Sequence, residues 1–456
     1  MGEDSRETAM PKDTLFELPD PQPLKPEAPT SPQQARVLRP VRNQLEWAPR
    51  ELDALIAEDH PARTIWTFLE RLDLSRFYAA IRSVLGRAGH PTTDPQVLLA
   101  LWLYACCDGI GSARHIDRLC KEHDAYRWIC GGVPINYHTL SDFRVAHQEA
   151  LDELLTEILA AMMDAGLVTL RCVAQDGMRV RASAGASSFR RESTLQDCLA
   201  EAAQQVAKLA AEREHADPGS NARQEAARER AANERQQRVE EALQRMPEIQ
   251  AAKERSKKGK TKVEQEKVSE ARVSTTDPEA RVMKMPDGGY RPAYNLQLAT
   301  DEDSQVIVGL GVDTTGNDGG QAPPMLEQVV GRTGRVPEAY MMDGGYARRE
   351  DIAALERRGV TVYAPTRSPR TTTSGRTKAD PRPDDPPEVV RWRERMETEE
   401  AKEIYKGRAA TSECVNAHAR RHSLTQLWVR REKNVLSVLL LVAITHNLLR
   451  WIALSA

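Results

Sequence analysis

At 456 residues, with 40% hydrophobic and 29% charged side chains, the chain is long enough for two or three domains, each with its own core. A formal net charge of −3 excludes a uniformly basic nucleic-acid binder, so any contact with DNA must come from local basic patches. The seven Cys form no C-x-x-C pair, which argues against a zinc site and for reduced thiols in a cytoplasmic protein.

In chain order, residues 1–40 are Pro-rich with mixed charge and no apolar signal core, and read as a disordered tail. From 41 to 165 apolar residues recur at three- and four-residue spacing, which predicts an all-helical N-terminal domain. Gly109 and Gly111 mark a helix–turn–helix junction, and Cys106 and Cys107 read as buried small residues. A long helix is expected over 139–166, capped by Thr139 or Ser141.

Strand signals follow at 169–175, then at 294–300 and 305–312, the last two joined as a hairpin. A helix is expected over 321–331, a strand before Asp343, a helix over 347–359 and a strand over 360–366. The order predicts a mixed α/β domain over 166–456 with an RNase H-like layout. It is interrupted at 186–273 by an Ala/Glu/Arg-rich helical hairpin broken at 217–221, whose tail 254–262 is a basic patch. Residues 368–388 read as a flexible loop. The apolar run 435–454 is broken by Ser437, Thr445, His446, Asn447 and Arg450, so a buried helix is expected rather than a membrane span.

Three acids stand out. Asp176 and Asp343 each end a strand signal, where open α/β sheets place their sites, and Glu413 lies on a late helix. Taken alone, Asp176 also reads as a turn residue before Gly177, Asp343 as the cap of the next helix, and Glu413 as a solvent-facing charge. Together they would suit a pair of hard divalent cations for phosphoryl transfer. Arg179 and Arg181 follow Asp176 on an alternating face and could meet phosphates.

These segments resemble the bacterial DDE transposases of insertion sequences. The resemblance rests on EDHPAR (58–63), GIGSARHIDRLC (109–120), YHTLSDFR (137–144), the Asp176 segment, YNLQLATD (294–301), the Asp343 segment, a tyrosine–arginine–glutamate–lysine signature over 405–420, and THNLLRW (445–451). The signature departs from the usual Y-x2-R-x3-E-x6-K: four residues separate Arg408 from Glu413, and Arg420 replaces Lys. The resemblance implies catalysis by Asp176, Asp343 and Glu413 holding two Mg²⁺ ions, with Mn²⁺ able to substitute. It implies phosphate contacts by Tyr405, Arg408 and Arg420, and reading of terminal inverted repeats by the N-terminal helices. It further implies a homodimer on double-stranded DNA, associated with the nucleoid, that cuts element ends and joins their 3′-hydroxyls to target DNA. The alternatives are a catalytically inactive, domesticated relative acting as a DNA-binding repressor, and a metal-dependent nuclease on the same fold.

Overall fold

The structure is a computed structural model that describes residues 49, 51–79, 81, 83, 91–214, 222–257, 270–366 and 382–455. The expected N-terminal tail, the break at 217–221, most of the basic tail and most of the 368–388 loop lie outside the described residues. Residues Arg50–Ala456 form one compact unit.

Among the described residues seven α-helices come first: α1 (Pro61–Leu69), α2 (Ser75–Tyr78), α3 (Pro95–Cys107), α4 (Ala113–Glu122), α5 (Asp124–Cys130), α6 (Tyr137–Ala146) and α7 (Gln148–Asp164). Pro95 opens α3, where its missing N–H costs nothing, and the Asp94 carboxylate accepts from the Gln96 N–H at 2.8 Å. α3 is apolar all round and buried all round, so it is the axis of this region. Gly109, at φ +72°, turns the chain after α3 as the sequence suggested. The single helix expected over 139–166 is instead two, α6 and α7, separated at His147 (φ −110°, ψ 31°). α6 is capped by the Asn136 side chain, which accepts from the Thr139 N–H, rather than by Thr139 or Ser141.

The sheet is built from β1 (Cys172–Arg181), β4 (Arg281–Lys284), β5 (Tyr290–Asp301), β6 (Ile307–Asp313), β7 (Ala339–Met342) and β8 (Thr361–Tyr363). β1 is central, antiparallel to β5 and parallel to β7, and β8 continues in parallel beyond β7. On its other edge β5 carries β6 beside Asn295–Thr300 and β4 beside Tyr290–Ala293. The hairpin β5–β6 is as expected, whereas β4 had no sequence signal. Helices α10 (Ala322–Thr333) and α11 (Arg349–Arg357) alternate with the parallel strands, and α12 (Pro387–Glu397), α13 (Glu399–Arg421) and α14 (Glu432–Ser455) close the fold.

The insertion is the expected helical hairpin, α8 (Glu192–Glu214) against α9 (Ala222–Lys257). Its base has a small core of its own: Leu195, Val239, Ala242, Met246, Ile249 and Val273. A two-stranded ribbon, β2 (Phe189–Arg190) with β3 (Val273–Ser274), ties its two ends together.

The N-terminal helices and the sheet share one apolar core, which runs from Ala62 to Leu448, so packing does not break at 165/166. α14 is the bolt between them. It is long and apolar enough to cross a membrane, yet 72% of its most apolar window is buried inside the protein, as a core helix would be. The Asn447 amide explains part of the THNLLRW segment. Its Oδ1 accepts from the Ile307 N–H at 2.9 Å, and its Nδ2 donates to the Ile307 carbonyl at 2.8 Å, clamping the start of β6.

Candidate active site

Across the parallel pair β1–β7, Gln175 lies in register with Met342, and the next residue on each strand is an acid: Asp176 and Asp343. Adjacent strands run about 4.8 Å apart, so the two carboxylates start from neighbouring backbone positions. This differs in detail from the expectation. Asp176 does not end its strand; β1 runs on through Gly177 to Arg181, because Gly177 to Arg181 remain paired with β5. Asp343 does follow the last residue of β7. It is not the cap of α11, which begins only at Arg349; instead Asp343 Oδ1 accepts from the Gly345 N–H at 2.6 Å in a tight turn.

Asp176 faces α13. Its Oδ1 lies 3.1 Å from the Arg408 guanidinium, and its Oδ2 accepts from the Asn416 amide at 2.9 Å. Burial pushes the Asp176 carboxyl up. Arg408 and the Gly177 N–H oppose that, while the charges of Asp343 and Asp318 add to it. Tyr405 is half-buried beside Arg408, and its phenol is also raised, mainly by burial.

Asp318, in the β6–α10 loop, was missed by sequence reasoning. Its Oδ1 accepts from Asn295 Nδ2 (2.7 Å) and Gln297 Nε2 (3.0 Å). Gln297 is buried, accepts from the Tyr346 hydroxyl, and is bonded by Gln175 Nε2 at 3.1 Å; the Tyr340 hydroxyl donates to Gln175 Oε1 at 2.8 Å. This amide network lies on the sheet face opposite α13, as strand alternation requires of Gln175 and Gln297 against Asp176. Asp318 reaches the acids through a gap left by two glycines. A Cβ on Gly177 would sit 2.7 Å from Asp318 Oδ1, and one on Gly345 would sit 2.8 Å from Asp343 Oδ1 and 3.4 Å from Asp318 Oδ2. The only sequence signal was the Asn-Asp-Gly-Gly run at 317–320, which looks like any turn.

The structure does not bring Glu413 into this cluster. On α13 the residues facing the strands include Arg408, Ser412 and Asn416, at four-residue steps, whereas Glu413 is exposed. The extra residue in the signature has this consequence: four positions after Arg408, where the usual spacing puts the acid, the helix presents Ser412, whose hydroxyl is buried without a hydrogen-bond partner among the described residues. Glu413 lies three positions before Asn416, so its Cβ is one turn away at the rim, about 5–6 Å along the helix surface. Among the described residues no three of His, Cys, Asp and Glu converge closely enough to cage a metal ion.

The basic residues divide. Tyr405 and Arg408 stand at the acids, with Arg408 paired to Asp176 rather than open to a phosphate. Arg420 is exposed on the same side of α13 as Glu413. The Arg179 guanidinium donates to the carbonyls of Lys284 (2.7 Å) and Gly316 (3.1 Å), tying the end of β4 to the β6–α10 loop instead of standing free for DNA. Arg181 is exposed at the end of β1, where its carbonyl accepts from the Leu427 N–H.

The donor set suits a hard divalent cation. Two side-by-side carboxylates, a third behind them and a buried, unpartnered hydroxyl offer only oxygen, and the crowded negative charge has one arginine against it. Two family models match the chain: a transposase domain (DUF772) over residues 50–146 and a transposase DDE domain over residues 249–448. The second span holds Asp318, Asp343 and Glu413, while Asp176 lies before it. No curated protein and no solved structure matches the chain. A DDE domain implies an RNase H-like fold, which agrees with the mixed sheet and its central β1. The chain belongs to the insertion-sequence DDE transposases, with the transposase N-terminal domain joined to the DDE domain.

Proposed function

We propose that the chain cleaves the ends of an insertion sequence and joins the freed 3′-hydroxyls to target DNA at the β1–β7 edge. The observation that supports this is the register of the parallel pair, which starts Asp176 and Asp343 from neighbouring backbone positions. In this reading Asp176 and Asp343 hold the metal, Mg²⁺ or Mn²⁺, and Glu413 closes the site from the rim of α13 when DNA is seated. When bound, the metal activates the attacking hydroxyl and stabilises the leaving oxygen of an in-line displacement. Asp318 lies on the far face and fixes the charge and the turn behind the pair. Tyr405 and Arg408 orient the scissile phosphate, a positioning role suited to a planar guanidinium. Arg420 and Arg181, both exposed, line the DNA path outside the acids, and the N-terminal helices grip the element ends. Two ends cut in concert call for a homodimer on DNA.

The test uses the full chain with duplex DNA from just outside its reading frame. Cleavage and strand-transfer products that require a divalent cation and vanish in Asp343→Ala support the reading. Cleaved DNA without joined products would make the chain a nuclease. Binding without cleavage, identical in wild type and Asp343→Ala, would make it a repressor.

A further inference from the structure

A second site lies away from the acids, where the inserted arm meets the body. A cavity of about 510 Å³ opens between α6, α9 and the loop joining α13 to α14. It is lined by Arg238 of α9, by Trp428, Arg430 and Arg431 of the loop, and by Ser141 and Thr276. Its volume falls within the range of small-ligand sites, enough for one backbone segment of a strand whose remainder lies outside it.

The side chains have an unusual balance. Arg238 is drawn down from the usual arginine range by burial first and then by the charge of Arg430, with Arg431 adding to it, so the three guanidinium groups crowd one another. The counter-charge is thin: Glu234 stands 3.7 Å from Arg238, and Glu241 holds Arg431 at 2.9 Å. Among the described residues Arg430 has no ion-pair partner, and Arg238 Nε is buried without a hydrogen bond. Trp428 is 56% exposed at the mouth, an unusual position for a large apolar ring, and its edge rests against Gly111, where a Cβ would come within 3.1 Å. Arg431 is held at φ +74°, a conformation non-glycine residues rarely adopt, with its N–H given to Asp277 at 3.3 Å. An under-neutralised arginine cluster beside an exposed ring matches a nucleic-acid strand: phosphate for the guanidinium groups, and a flat sugar–base face for the indole.

We propose that this cavity is a DNA-backbone site, in which a phosphate lies between Arg238 and Arg430 and the adjoining nucleotide lies against Trp428. It rests on the reading that the chain acts on DNA, and it gives the arm at 186–273 a job: α9 supplies one wall of the site. DNA held here is gripped by the arm and the body together.

The experiment measures binding of a fluorescein-labelled duplex, taken from just outside the reading frame, by anisotropy over a series of salt concentrations in EDTA. Wild type is compared with Arg238→Gln, Arg430→Gln, Trp428→Leu and, as a control, Arg358→Gln, an arginine outside the cavity that pairs with Glu327. Each arginine variant is expected to bind roughly 5–10-fold more weakly and to lower the log–log salt slope by about one. Trp428→Leu is expected to weaken binding at least about 5-fold with the slope unchanged, and Arg358→Gln to bind as wild type. Thermal melting checks folding, and should Arg238→Gln melt early, Arg238→Lys must restore most of the affinity. Wild-type affinity and slope in all three pocket variants would overturn the proposal. So would inorganic phosphate competing for the pocket as well as a DNA strand does. Loss of cleavage in wild type with these binding effects intact would sink the catalytic reading alone.

Discussion

Gly177 offers the sharpest test of the site as described. It lies inside β1 with no positive φ, so alanine there carries no backbone strain, and replacing a strand glycine gains about 0.5–1 kcal/mol from the unfolded chain. Against that, the new methyl would stand 2.7 Å from Asp318 Oδ1, 2.8 Å from Gln297 Nε2 and 3.0 Å from Asn295 Oδ1. These atoms cannot simply swing aside. Gln297 is tied to Gln175 and Tyr346 as well as to Asp318, and it is 1% exposed. Forcing a methyl into such packing costs about 1–3 kcal/mol, so Gly177→Ala should come out about 1–2 kcal/mol less stable on balance. Gly311, in β6, is the matched control, since its Cβ would meet Met325 at 3.8 Å and Gln297 at 3.9 Å, both ordinary contacts. Gly311→Ala should therefore be neutral, or more stable by about 0.5–1 kcal/mol. The midpoint of urea unfolding for the two variants and wild type reads this directly. If Gly177→Ala were as stable as Gly311→Ala, Asp318 and its amides could not lie where they are described.

Four further outcomes can be measured. Calorimetric Mn²⁺ binding to the DNA-free chain should weaken at least tenfold in Asp176→Asn and Asp343→Asn, whereas Glu413→Gln should bind Mn²⁺ as wild type yet cleave no DNA; equal losses in all three would mean that α13 turns Glu413 inward in solution. Arg408→Gln should weaken DNA binding in the presence of Ca²⁺ and leave it unchanged in EDTA, and a loss in both conditions would show that Arg408 is free of Asp176 before metal arrives. Asn447→Ala strands the N–H and carbonyl of buried Ile307, for an expected loss of about 2–5 kcal/mol, and wild-type unfolding of that variant would refute the clamp. His446 is pulled down from 6.5 to about 4, mainly by burial, so the folded chain holds it neutral. Its contribution is fully present above pH 6.5 and is lost as pH falls from there towards 4, by roughly 3 kcal/mol at most. Unfolding midpoints at pH 7 and pH 4.5 should converge in His446→Gln, and an unchanged pH profile in that variant would count against the assignment.

The large elements were legible because their signals are local. Two strand signals joined by a short turn marked β5 and β6, apolar spacing marked α3, and the near-absence of an aliphatic stripe marked the inserted hairpin. What escaped notice depends on contacts between distant residues. β4 is four residues long and is specified by its pairing with Tyr290–Ala293, not by its own pattern. Asp176 looked like the end of a strand because Asp-Gly commonly makes a turn; in the fold that glycine is instead the empty position that admits Asp318. The burial of the long C-terminal helix is legible in its sequence, whereas its Asn447 makes sense only beside Ile307 of β6. On α13 the four-residue gap between Arg408 and Glu413 was visible, and helical geometry alone predicts the result: the two cannot share a face.

The charge arrangement at the site suggests how its parts act in sequence. At the β1–β7 strand ends the charges of Asp343 and Asp318 both oppose ionisation of Asp176, adding to the effect of burial. In the chain as it stands, Arg408 relieves part of this by pairing with Asp176, and Asn416 takes the other oxygen of the same carboxylate. A cation between Asp176 and Asp343 would compete for the oxygen that Arg408 holds. Arg408 is attached to a helix, already has an unpartnered Nε, and needs only a change of rotamer to turn towards the rim. Under the proposed function, then, metal entry and phosphate capture are linked through one side chain. Each would favour the other, so a cation should bind these acids more tightly with DNA present than in the free chain.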